Sequence, residues 1–182
     1  TQSRSSAASD VYKRQDTSAG AGMQADLKTF QELDVYGMVA LTSIVTMDKE
    51  TWSHDVTPID MNVFEKQLET AISIGPDAIK TGMLGTQDII KRAGDVFVES
   101  GADYFVVDPV MVCKGEDEVL NPGNTEAMIQ YLLPKATVVT PNLFEAGQLS
   151  GLGKLTSIED MKKAAQVIYD KGTPHVIIKG GK

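Results

Sequence analysis

Cysteine is nearly missing. Cys113 is the single one in 182 residues, so no intrachain disulfide can form, and a chain of 19.6 kDa can bury a core without one. A reducing cytoplasmic compartment is expected. Positive charge is also scarce: 17 Lys and Arg stand against 25 Asp and Glu, giving a net charge of −8 and an isoelectric point near 4.7. That balance repels phosphate backbones and anionic lipid, so neither nucleic acid nor a membrane is expected as a partner. Apolar runs such as MVALTSIV at 38–45 fall far short of the roughly 20 residues that cross a bilayer, and no signal peptide is expected. His54 and His175 lie far apart and lack partners at metal-ligand spacing.

What remains, 42% hydrophobic and 23% charged residues, describes one ordinary globular domain. Residues 1–15, TQSRSSAASDVYKRQ, bury almost nothing by composition and are expected to be a disordered, non-native leader. From Asp16 onward helical and strand-like segments alternate. Helices are expected near 22–33, from Asp60 to Gly75, from Thr86, around 124–132, from Asn142, and from a Thr156/Glu159 capping box to about Asp170. Strands are expected at MVALTSIVT, DAIKT, YFVV, TVVT and HVIIK. Continuously apolar strands between helices predict an α/β fold with a mostly parallel sheet and helices on both faces. Right-handed crossovers put the carboxyl ends of the parallel strands on one edge, where ligands bind.

The residues just after each strand therefore carry the candidate chemistry: Met83, Asp108, Asn142 and Glu145, then Lys179, Gly180 and Gly181. Asp108 and Glu145 suit hydrated magnesium, while Lys179 and the glycine amides suit polyphosphate, and together they suggest a magnesium nucleotide. Each piece has a plainer explanation. Asn142-x-x-Glu145 matches a helix capping box, Asp108-Pro109 matches a strand-ending turn, and Lys179-Gly180-Gly181 matches an exposed turn. Their convergence on one edge favours the ligand site. Gly20-Ala21-Gly22-Met23-Gln24-Ala25 fits G-x-G-x-x-A, but residues 1–15 are not strand-like and no acidic residue ends the second strand, so a dinucleotide turn is poorly supported. Those glycines instead allow close approach of a ring or hydroxymethyl group at a helix N-terminus, with Asp26 one turn inside as a ligand contact or a first-turn acid favoured by the helix dipole. Cys113, on the ligand edge after Asp108, is a buried small residue by base rate and a reactive thiol as the minority reading.

DTSAGAGMQAD (16–26), KTGMLG (80–85), VVDPVM (106–111), TPNLFEA (140–146) and VIIKGGK (176–182) together resemble the hydroxymethylpyrimidine kinase and pyridoxal kinase group of the ribokinase-like fold. The resemblance implies a three-layer sandwich, incomplete here, that transfers a phosphoryl group from ATP with Mg2+ to the hydroxymethyl group of a small heteroaromatic alcohol. It implies that Gly20, Gly22, Asp26 and Met83 line the substrate, Asp108 and Glu145 organise magnesium, Asn142 and Lys179 meet ATP phosphates, and the full-length protein is a homodimer. In A-L-T-S-I-V-T, Ile44 stands where hydroxymethylpyrimidine kinases of this pattern carry glutamine. Loss of that amide argues against a strict pyrimidine enzyme. The pyridoxal-handling subgroup implies a lid thiol at Cys113 and a second cysteine in a G-A-G-C segment that also supplies the catalytic base; no G-A-G-C occurs here. An interrupted kinase, inactive as it stands, is therefore expected over residues 16–182. The rival readings are an NAD-dependent oxidoreductase built on G-x-G-x-x-A and a non-catalytic ligand-binding module.

Overall fold

The computed structural model describes residues 8–51, 53–111 and 122–180. In chain order its elements are β1 (Ala8–Asp16), α1 (Gly22–Glu32), β2 (Tyr36–Met47), β3 (His54–Pro58), α2 (Met61–Ile74), β4 (Ala78–Thr81), α3 (Gln87–Ser100), β5 (Tyr104–Val107), α4 (Pro122–Tyr131), β6 (Val138–Val139), α5 (Leu143–Ser150), α6 (Ile158–Asp170) and β7 (His175–Val176). The strands form one sheet in the order β3-β2-β1-β4-β5-β6-β7, parallel throughout except for β3, which runs antiparallel to β2. This is the expected mostly parallel α/β sheet.

Local chemistry sets the helix boundaries. Asp60 accepts from the Asn62 amide at the start of α2, and Thr86 accepts from the Ile89 amide at the start of α3. Gly75 and Gly101 close these helices at φ 76° and 68°, where a side chain would be strained. The capping box of α6 lies one residue later than expected: Ser157 and Asp160 exchange the two bonds, while Glu159 pairs with Lys162 at 2.8 Å. Aspartate is short enough to reach back to both Thr156 and Ser157, at 3.1 Å each.

One face of the sheet carries the main core. Ile79, Phe105, Val107 and Val139 meet Phe64 and Leu68 of α2, Ile90 and Val96 of α3, Met128 of α4, Leu149 of α5 and Ile168 of α6. Each of these large side chains, removed from water, contributes about 1.5–3 kcal/mol. Helix α1 lies on the other face. Gly37 of β2 points at it, and a β-carbon there would come within 2.8 Å of both Leu27 and Phe30. The absence of a side chain lets α1 settle onto the strand.

Residues 8–15 correct the expectation of a disordered leader, because they form most of β1 in the middle of the sheet. Its main chain pairs with β2 on one side and β4 on the other. A strand is held by amides and carbonyls that every non-proline residue has, so a polar composition does not forbid one when both neighbours are present. Residues 1–7 lie outside the described part.

Candidate functional site

Three strands deliver the acid, hydroxyl and amine to one place. Asp108 follows β5, and its amide donates to Thr81 O of β4 at 3.4 Å. Beyond the formal end of β7 the pairing continues: the Ile177 amide donates to Val139 O at 2.9 Å, and the Lys179 amide to Pro141 O at 2.8 Å. Lys179 Nζ consequently reaches Asp108 Oδ1 at 2.9 Å, and Thr140 Oγ1 approaches the same oxygen at 3.5 Å. Lys179 is 46% exposed at its side chain, so the ammonium can still meet an incoming anion.

Asn142 and Glu145 open α5 beside this pair. The capping box is realised in full: the Asn142 amide donates to Glu145 Oε2 and the Glu145 amide to Asn142 Oδ1, both at 2.8 Å. Glu145 is buried. Desolvation pushes its carboxyl up to about 7, against the pull of the Asn142 amide and the Lys179 ammonium, and Asp108 adds to the rise. The Met111 amide also donates to it. Asn142, Glu145, Asp108 and Lys179 are thus electrostatically one unit at the carboxyl edge of the sheet.

The loop after β1 faces that edge from the other half of the sheet. Asp16 is buried, with Oδ1 accepting from the Ser18 amide at 2.9 Å and its hydroxyl at 2.8 Å; Gln24 brackets the Asp16 main chain at 3.2 and 2.7 Å. Gly22 starts α1 at φ 69°, a left-handed conformation that glycine adopts without strain. Thr17 is tied to Val45 O, and Val45 packs with Met83, Val56 and Val110, the last two residues beyond Asp108. Met83 is buried in that cluster, whereas Ile44 is 38% exposed near the end of β2. Asp26 forms an ion pair with Lys80 of β4 at 3.3 Å, which ties α1 to the sheet. Gly180 is exposed in open space. Cys113 and Gly181 lie outside the described residues.

Sequence reasoning missed Asp16, Gln24, Thr42, Lys80 and Thr140 as parts of this edge. Asp16 ends β1, Thr140 directly follows β6, and Lys80 interrupts the apolar run DAIKT. Those positions were the available signal. The dinucleotide reading gains a strand before its glycines but no ribose acid: Asp48 after β2 uses its carboxylate on the Glu50 and Thr51 amides at 2.9 and 2.8 Å. The chain then turns into antiparallel β3 rather than a crossover helix.

For magnesium the donor set is two carboxylates beside a lysine, and among the described residues no cluster of three or more His, Cys, Asp or Glu could cage an ion. That set fits an ion that keeps several waters and takes its other ligands from phosphates, as Mg2+ does. No helix among the described residues is long and apolar enough to cross a membrane.

Residues 16–182 match the family model described as phosphomethylpyrimidine kinase. Over 167 residues the chain is 99% identical to a Staphylococcus epidermidis protein named "Putative pyridoxine kinase", covering 92% of this chain and 60% of that protein. The pyridoxal kinase from Staphylococcus aureus in complex with pyridoxal superposes with a TM-score of 0.93 at 80% identity, over 97% of this chain and 64% of that one. The same enzyme in complex with AMP-PCP gives 0.93 at 82% identity, over 97% and 64%. The chain spans about 60% of the length of the curated relatives it matches. Matched from residue 16 to residue 182, the chain belongs to the phosphomethylpyrimidine kinase family.

Proposed function

We propose that this chain is the nucleotide- and substrate-gripping part of a kinase that phosphorylates the hydroxymethyl group of pyridoxal or pyridoxine with ATP and Mg2+. The observation that carries the reading is the convergence of Lys179, Asp108 and Glu145, from β7, β5 and α5, on one edge facing the Asp16–Gly22 loop. Lys179 would exchange its partner Asp108 for nucleotide phosphate, and the released carboxylate, with Glu145, would hold the magnesium of the bound nucleotide. The ion supplies neutralisation of phosphate charge when bound. Asn142 fixes the rotamer of Glu145 through the reciprocal cap. The Asp16–Gly22 loop and Met83 orient the ring so that its hydroxyl faces the phosphates. The base that takes the hydroxyl proton belongs, by family resemblance, to a G-A-G-C segment. Two relatives bearing on this reading are an S. aureus kinase bound to pyridoxal and the same kinase bound to an ATP analogue.

Calorimetric titration tests it. The chain should bind AMP-PCP in the presence of Mg2+ and pyridoxal independently; failure to bind either, by a folded sample, rejects the reading. Hydroxymethylpyrimidine is the second reading, favoured by the family description. Ile44 decides between them. Ile44→Gln should raise affinity for hydroxymethylpyrimidine at least roughly tenfold relative to pyridoxal, because an amide restores a polar edge partner.

A further inference from the structure

Helix α1 sends a side chain back to the strand that precedes it. Asp16 is the last residue of β1, and the Gln24 carboxamide engages both of its main-chain groups: the Asp16 amide donates to Gln24 Oε1 at 3.2 Å, and Gln24 Nε2 donates to the Asp16 carbonyl at 2.7 Å. The sheet explains why that place is open. The Thr17 amide reaches Val45 O of β2, so Asp16 turns its own amide and carbonyl toward the β4 side, as alternate residues of a parallel strand do. Pairing of β1 with β4 ends earlier, at Tyr12 and Thr81. A carboxamide carries a donor and an acceptor as a peptide group does, so Gln24 stands where a further residue of β4 would have paired. The Asp16 carbonyl also accepts from the Ala19 amide at 2.9 Å, and Ala19 sits at φ 57°, a conformation that a residue with a β-carbon keeps only when its neighbours fix it. Ser18 completes the loop, with its amide and hydroxyl on Asp16 Oδ1 and its oxygen accepting from the Gly20 amide at 3.3 Å. From the first turn of α1, Gln24 thus clasps the point where the Asp16–Gly22 loop leaves the sheet.

We propose that Gln24 is a positioning residue for the ring alcohol: it acts through the loop, by fixing the Asp16 carbonyl on which the left-handed turn at Ala19 hangs, and so sets the Gly20–Gly22 backbone against which the ring lies. The inference rests on the reading that this loop receives the ring, and adds how the loop keeps its shape. Gly20, Ala21 and Gly22 have almost no side chains with which to hold themselves in place. A loop that must be ordered by its ligand takes the cost from the affinity, and the clasp removes that cost before the ring arrives. Nucleotide is gripped elsewhere, by Lys179, Asp108 and Glu145 at β7, β5 and α5, so loss of the clasp falls on the ring alone.

Gln24→Glu and Gln24→Met separate positioning from simple support. When ionised, the carboxylate of Gln24→Glu still accepts from the Asp16 amide but repels the Asp16 carbonyl; when protonated, the acid donates to that carbonyl and restores both bonds. The titratable groups around it are Asp16 at the end of β1, Asp26 and Lys28 on α1, and Lys80 on β4, with Asp26 and Lys80 paired; β2 brings none from Met38 to Met47. Calorimetry with pyridoxal, each value referred to the unsubstituted chain at the same pH, should show Gln24→Glu weakened at least roughly tenfold at about pH 8 and recovered to within about threefold at about pH 4.5, where the acid form is populated. Gln24→Met should be weakened alike at both. AMP-PCP with Mg2+ should bind each variant within about twofold of the unsubstituted chain, since its contacts do not pass through the loop. Exchange of the Ala19 amide reads the clasp without any ligand, and should quicken at least roughly tenfold in Gln24→Met while the Ile90 amide of α3 is unchanged. Circular dichroism checks folding, and if Gln24→Met does not fold, Gln24→Glu at the two pH values carries the answer by itself. The proposal is overturned if pyridoxal and AMP-PCP affinities fall together, if the loss in Gln24→Glu is the same at both pH values, or if the Ala19 amide exchanges no faster. A folded unsubstituted chain that binds no pyridoxal overturns the functional reading instead, and the clasp then stands or falls on the Ala19 exchange.

Discussion

Thr42 Oγ1 donates to Met83 O at 2.6 Å, joining β2 to the loop after β4 across the intervening β1. Both residues are buried, and the loop is held again where Asn124 Nδ2 donates to Gly85 O at 2.9 Å. Two side chains from different elements thus fix the carbonyls flanking Leu84, and with them the position of Met83 at the candidate substrate site.

Thr42→Val keeps the shape and removes this donor from the Met83 carbonyl. Loss of a hydrogen bond costs about 0.5–1.5 kcal/mol. Urea unfolding should show a loss in that range, accompanied by weaker pyridoxal binding and unchanged AMP-PCP binding. Thr42→Ser, which retains the hydroxyl, should recover most of both losses. Equal binding by Thr42→Val and the unsubstituted chain would mean the loop is held without this bond.

Lys179→Met removes the ammonium and keeps the stem. The pair with Asp108 is half in water on the lysine side, so its loss should change stability by no more than about 1 kcal/mol. Affinity for AMP-PCP should nevertheless fall at least roughly tenfold, since a charged hydrogen bond to phosphate is worth more than a surface ion pair. A large stability change with intact nucleotide binding would reverse the assignment.

Glu145 sets a pH dependence with a definite sign. Its carboxyl titrates near 4.5 when unfolded and about 7 when folded, because burial disfavours the anion. Between those values the folded chain holds a proton that the unfolded chain has released, so stability declines as pH rises from 4.5 to 7 and levels off above. The full effect is on the order of 3 kcal/mol. Glu145→Gln keeps an acceptor for the Asn142 amide and does not titrate, so its stability should be flatter over that interval. Magnesium nucleotide should stabilise the anion and lower the titration midpoint of the unsubstituted chain; parallel pH curves for the two proteins would contradict this.

Much of this site could be read from sequence because its residues follow strands whose apolar runs are unmistakable. YFVV and HVIIK place Asp108 and Lys179 at strand ends on one edge before any geometry is known, and Asn142-x-x-Glu145 announces its own cap. The rest depended on things that side-chain chemistry does not encode. β1 is made by main-chain pairing to both neighbours, and the lysine and arginine of KRQ hid it. β3 is a short edge strand, HDVTP, with partial exposure and no apolar alternation to mark it. The coverage of the sheet was the subtler matter: apolar strands predict burial on two faces, and among the described residues α2–α6 fill one face while α1 packs over β1 and β2 on the other. Composition says that a face needs a partner. It does not say whether the same chain supplies it.

Gly147 of α5 meets the returning main chain at Gly153, whose amide donates to Gly147 O at 3.3 Å. A β-carbon on Gly147 would overlap the Gly153 carbonyl, and both partners in that collision are backbone, so no rotamer change relieves it. The chain doubles back there because Gly151 and Gly153 adopt φ 74° and 70° directly after the helix. Gly147→Ala must therefore shift α5 or open the turn, although alanine is the better helix former by about 1 kcal/mol. Overpacking against backbone should win, with a net loss of about 3 kcal/mol in chemical denaturation. Gly180→Ala, in open space, should change stability by less than about 0.5 kcal/mol. Because α5 carries Glu145, the Gly147→Ala protein should also lose part of the raised titration of that carboxyl, read by carboxyl NMR. A shift in stability without a shift in titration would show that the turn yields and the helix holds its place.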